Sequence, residues 1–90
     1  MVKIYGVDGC PFCEYIKPQV EGREDEYRYI NVGENIRTFK EFMALRDNRP
    51  EFDDDKARGK AGVPAFLLED GTITFNPYDV GLERLGGRPL

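Results

Sequence analysis

The chain has 90 residues, 40% hydrophobic and 33% charged, with six Phe, five Tyr and no Trp; that suits one domain and is too short for two. Thirteen Lys and Arg against seventeen Asp and Glu give a formal net charge of −4, so no nucleic-acid partner is expected, because that calls for a net basic stripe. The absence of His excludes imidazole general-base catalysis and His-ligated metal, and no run approaches the roughly 18 apolar residues of a membrane span.

Met1-Val2-Lys3-Ile4-Tyr5 reads straight into a strand, with no signal-peptide apolar region before it, and Gly6 ends that strand. Val7-Asp8-Gly9 is a turn. Pro11 suits the first position of a helix, where its missing N–H has no partner to lose. That helix is expected from about Pro11 to Glu21, with Cys13, Ile16 and Val20 on one face and Gly22 after its end. Arg23-Glu24-Asp25-Glu26 is a charged loop. Tyr27 to Val32 reads as a second strand. Asn35 caps a second helix whose Ile36, Phe39, Phe42 and Met43 are expected to face the core, with Phe66 and Leu68 as further core residues.

Between Asp47 and Gly62 the pattern fits either one or two helical turns or an acidic loop. Ala65 to Glu69 is a strand, Asp70-Gly71 a two-residue hairpin turn, and Thr72 to Phe75 the partner strand. Asn76-Pro77 is a cap and first position for a last helix through about Leu85, stopped by Gly86-Gly87. The order is β-α-β-α-β-β-α. A right-handed crossover makes the first two strands parallel, and the hairpin makes the last two antiparallel. The expected fold is α/β, one domain over 1–90, with a mixed four-stranded sheet and helices on both faces.

The two cysteines form one motif, Cys10-Pro11-Phe12-Cys13. A secreted disulfide scaffold of this size carries more cysteines, so the expected compartment is the reducing cytoplasm, where a lone Cys-x-x-Cys is more often chemical than structural. A bridge across so short a loop restrains the unfolded chain by only about 2 kcal/mol. A structural zinc needs four ligands and the chain offers two, so no metal is expected. At a strand end and a helix start, Cys10 meets unpaired N–H groups and the positive end of the helix dipole. The dipole alone contributes roughly 0.3–1 kcal/mol, so hydrogen bonds from the N–H groups of Phe12 and Cys13, or from the Cys13 thiol, must supply most of any larger preference for thiolate. Cysteines so placed titrate at about 3.5–7.5. Asp8 and Glu14, which flank the pair, oppose ionisation. The spacing assigns Cys10 as the exposed nucleophile and Cys13, one turn deeper, as the resolving thiol.

With Val63-Pro64 opening a later strand, this motif resembles the glutaredoxin branch of the thioredoxin superfamily, and the resemblance covers the element order of nearly the whole chain. It implies a thioredoxin-like fold, a cis Val63–Pro64 bond opposite the cysteines, and a Val63 backbone free to pair with substrate as an added strand. Pro18 inside the first helix resembles thioredoxins and implies a kink there. Glutaredoxins carry a Lys shortly before the first cysteine, where this chain has Val7-Asp8-Gly9, and Phe12 replaces their usual Tyr. The activity implied is reduction of protein or glutathione mixed disulfides, with glutathione as co-substrate and no bound cofactor. Phe12, Val63 and Pro64 would shape the substrate groove. Arg37, Arg58 and Lys60 are candidates for a substrate carboxylate, and Asp79 for a glutathione amine. Thioredoxin reductase is the alternative reductant, and a dedicated electron donor to a reductase the alternative role. A dimeric iron–sulfur carrier is the rival outside this class, though such relatives usually have a small residue where Pro11 stands. The implied protein is a monomer.

Overall fold

The structure, a computed structural model, describes residues 1–85. Strand β1 (Val2–Gly6) pairs in parallel with β2 (Tyr27–Asn31), placing Ile4 opposite Tyr29 and Gly6 opposite Asn31. On its other edge β1 pairs antiparallel with β3 (Ala65–Leu67), which pairs antiparallel with β4 (Ile73–Thr74). The sheet order is β2-β1-β3-β4. The connections hold α1 (Pro11–Val20), α2 (Ile36–Asn48), a 3₁₀ turn (Pro50–Phe52) and α3 (Asp53–Ala57). The α/β class and the mixed four-stranded sheet are as the sequence implies.

Successive strand residues point to opposite faces, and each face has its own core. Ile4 and Phe66 pack with Ile16 and Val20 of α1, while Tyr5 and Ala65 pack with Phe42 of α2 and Phe52 of the 3₁₀ turn. Helix α1 starts on Pro11, buries Cys13, Ile16 and Val20, and runs past Pro18 to Val20, one residue short of the expected end. At the start of α2, Asn35 Oδ1 accepts from the Thr38 N–H at 3.0 Å, the capping bond its sequence implies.

Three expectations need correction. Ile36 and Phe39 are 68% and 45% exposed, and Leu68 is half-buried and in neither core cluster, whereas Met43, also half-buried, does pack against the core around Phe42. Helix α2 docks through Phe42, which meets Tyr5 at 5.6 Å between ring centroids, and Thr38 holds its first turn by donating to Asn31 and Asn35 carbonyls. That rotation carries the Ile36–Phe39 stripe to the helix flank.

The hairpin loop has three residues, not two. Leu68 and Thr72 pair across it, the Gly71 N–H donates to the Leu68 carbonyl, and Gly71 takes φ +90°. This is a type I turn closed by a left-handed glycine.

The last expected helix is only a 3₁₀ turn, Pro77–Val80. Beyond it, Gln19 of α1 grips the chain from both sides: its Nε2 donates to the Glu83 carbonyl at 3.1 Å, and its Oε1 accepts from the Glu83 N–H at 2.9 Å. Tyr27 Oη donates to the Val80 carbonyl at 2.6 Å, and Leu82 is buried against α1. Tertiary bonds take the backbone groups a helix would use. The expected stop at Gly86-Gly87 lies outside the described residues.

Candidate active site

The 7–9 turn leaves β1, and the Cys10 N–H closes it by donating to the Val7 carbonyl at 3.3 Å. Cys10 is then the N-cap of α1, with extended φ/ψ of −84° and 117°, and its carbonyl accepts the first helical bond from Glu14 at 2.9 Å. Its thiol makes no capping hydrogen bond, so of the two expected sources of stabilisation the Phe12 and Cys13 N–H groups do not serve it and the Cys13 thiol, which it faces, is the one at hand. Both cysteines are free; Cys10 is half-exposed and Cys13 is fully buried. Burial pushes the Cys13 thiol up to about 12, against the opposing pull of the Val7 N–H.

The two neighbouring acids are tied down. Asp8 accepts from Asn31 Nδ2 at 2.9 Å and pairs with Lys17 at 3.6 Å. Glu14 Oε1 accepts from the Gly9 N–H at 3.3 Å. The negative charge flanking the cysteines is thus partly met within the turn itself.

Beside the motif lies a groove of about 670 Å³, lined among others by Phe12, Lys60, Val63, Pro64 and Phe75. The Val63–Pro64 bond is cis, as the resemblance implies. Among the described residues, the Val63 N–H and C=O enter no hydrogen bond, since β3 pairing begins at Ala65. The structure therefore brings Val63, Pro64 and Lys60 together in one groove with Phe12, a residue that stands between the two cysteines in the motif.

It does not bring the other three candidates there. Arg58 folds back along α3 onto Asp54 at 3.0 Å, an i,i+4 pair that the sequence spacing itself offered. Asp79 accepts from Thr74 Oγ1 at 2.5 Å and so braces the 3₁₀ turn. Arg37 is exposed on the first turn of α2 and lines no part of the groove.

Several groove residues went unnoticed in the sequence. Arg46 of α2 donates to the carbonyls of Lys60 and Ala61 at 2.6 and 3.0 Å, fixing the wall that leads to Val63. Glu51, Asp54 and Asp55 make the floor acidic, although Arg49 pairs with Glu51 and Arg58 with Asp54. Gly62 is held at φ +89°, and a Cβ there would lie 2.8 Å from Phe52 Cδ1. Gly62→Ala therefore combines a left-handed conformation that costs an L-residue about 1–2 kcal/mol with a ring that cannot give way. Urea denaturation is expected to show a loss of about 2 kcal/mol or more, with Gly59→Ala, where φ is +70° and the space is open, losing only the conformational part. Equal losses at the two positions would contradict the Phe52 contact.

Among the described residues, no three His, Cys, Asp or Glu side chains converge as a metal site, and no helix is long and apolar enough to cross a membrane. No family model matches the chain, and no solved structure matches it. The chain is similar to an uncharacterised protein of Haemophilus influenzae, 27% identical over 73 residues that span 81% of this chain and 85% of that protein.

Proposed function

We propose that this chain is a thioredoxin-like, glutaredoxin-like dithiol–disulfide oxidoreductase that reduces protein or glutathione mixed disulfides. The observation that carries this reading is the pairing of a half-exposed Cys10 at a helix N-cap with a fully buried Cys13 that faces it, beside a groove. Cys10, as thiolate, attacks one sulfur of a substrate disulfide; a Cys10–substrate bond forms, the substrate S–S bond breaks, and the first thiol leaves with a proton. Cys13 then attacks Cys10, the second substrate thiol leaves, and a Cys10–Cys13 disulfide remains. Two glutathione molecules, or thioredoxin reductase drawing on NADPH, return the pair to the dithiol.

The groove supplies orientation. The free Val63 backbone offers one donor and one acceptor to an extended substrate segment, Phe12 and Pro64 offer apolar contact, and Lys60 is the cation placed to meet a substrate carboxylate. The dithiol carries both electrons, so no bound cofactor is required. The proposed setting is the cytoplasm, and the proposed active form is a monomer.

The test supplies the protein with NADPH and either the glutathione system or thioredoxin reductase, and follows NADPH consumption with a glutathione mixed disulfide or insulin as substrate. Consumption under one of the two regimes is the expected result and identifies the reductant. No consumption under either, with the protein folded and its thiols reduced, overturns the reading.

A further inference from the structure

Tyr29 stands on β2 opposite Ile4 and packs against the face that receives Ile16 and Val20 of α1. Lys17 Nζ lies 5.7 Å from its ring centroid. The ring runs toward the end of β1, and its tip stops on Gly6, where a Cβ would come within 2.7 Å of Tyr29 Cζ. Only a glycine leaves room for this side chain. The hydroxyl at its tip is buried and has no hydrogen-bond partner of regular geometry among the described residues. A phenol buried in this way normally finds a partner. The titratable groups around it are Cys13, Glu14, Asp8 and Cys10; the two acids are engaged elsewhere, and the Cys13 sulfur is the group the hydroxyl faces.

We propose that Tyr29 Oη is the hydrogen-bond donor held for the thiolate form of Cys13, idle while that residue is a thiol and engaged when it attacks. The proposal rests on the exchange reading above for its role in turnover, but not for the contact itself. In the resolving step the Cys13 S–H bond breaks, a Cys13–Cys10 bond forms, the bond from Cys10 to substrate breaks, and the proton ends on the departing substrate thiolate. Negative charge thus passes through a sulfur that is fully buried, where unpaired charge is costly.

The Val7 N–H already points at this sulfur, and Tyr29 gives it a second donor. Burial and the nearby acids hold the Tyr29 phenol above its ordinary range, so it donates its hydrogen without losing it. On the other side of the pair, Cys10 is a further titratable neighbour of Cys13.

Tyr29→Phe keeps the ring and removes only the oxygen, so the fold is expected to survive it. Two readouts test the role. In a Cys10→Ser background, which leaves Cys13 as the only thiol, thiolate absorbance against pH is expected to move to higher pH when Tyr29→Phe is added; a hydroxyl that merely fills space would not move it. In the dithiol protein, reaction with glutathione disulfide is expected to form the first mixed disulfide at the parent rate, while release of the second glutathione slows by about 10-fold or more, the usual loss for a hydrogen bond to a charged group. An unmoved Cys13 titration overturns the proposal. A moved titration with no mixed disulfide in the parent protein upholds the contact and overturns the exchange reading instead.

Discussion

Cys10→Ser is expected to abolish the proposed disulfide reduction while leaving the fold in place. The position is half-exposed and its side chain caps nothing, so the loss of sulfur removes no packing and no hydrogen bond that α1 needs. What disappears is the nucleophile: a serine hydroxyl stays protonated at neutral pH, and an S–O product has no route onward to a disulfide. Turnover in the NADPH-coupled assay is expected to fall by on the order of 10³-fold or more, to background, with the thermal midpoint within a few degrees of the parent.

Cys13→Ser gives the complementary result. In the proposed exchange its buried sulfur is the second nucleophile, so the variant is expected to accept one glutathione from glutathione disulfide, by intact mass, and to hold it. If Cys10→Ser retains activity, or if Cys13→Ser is the variant that cannot form the mixed disulfide, the assignment of the two roles is reversed or wrong.

What the sequence displayed, and what it concealed, follows the range of the interactions concerned. The helix start at Pro11, the burial of Cys13 with Ile16 and Val20, and the Asn35 cap depend on spacings of a few residues, and each is where the pattern puts it. Val63 and Pro64 were legible only through resemblance, because nothing in a Val-Pro pair says which cleft it will face.

The failures are tertiary. Ile36 and Phe39 make as good an apolar stripe as Phe42, and only the docking of Phe42 on Tyr5 decides which of them is covered. Arg58 looked available for a ligand until α3 formed and gave it Asp54. Tyr29 sits in an ordinary alternating strand; its importance comes from how far its hydroxyl reaches toward Gly6 and Cys13, a depth that no one-dimensional pattern encodes.

Phe52 was concealed for the same reason, and its loss is expected to be the most damaging to stability. It sits in an acidic stretch without helical or strand periodicity, yet it is fully buried. Its ring meets Phe42 edge-on at 5.8 Å and Phe75 edge-on at 5.1 Å, so one side chain joins α2, the 3₁₀ turn and the end of the hairpin. Each edge-to-face pair adds to what burial alone contributes.

Phe52→Ala is expected to cost about 3–5 kcal/mol, a large share of the roughly 5–13 kcal/mol that a domain of this length has in total. At about 4–8 °C per kcal/mol for a small domain, the thermal midpoint should drop by more than 10 °C. Phe52→Leu keeps much of the volume and should lose markedly less. The damage should also reach the groove, because Gly62, next to Val63, rests on this ring; at temperatures where Phe52→Ala is still folded, turnover with an extended protein substrate should weaken more than alkylation of Cys10 by a small reagent. A midpoint within two or three degrees of the parent would mean that the aromatic chain from Tyr5 to Phe75 does not hold the groove wall against the sheet.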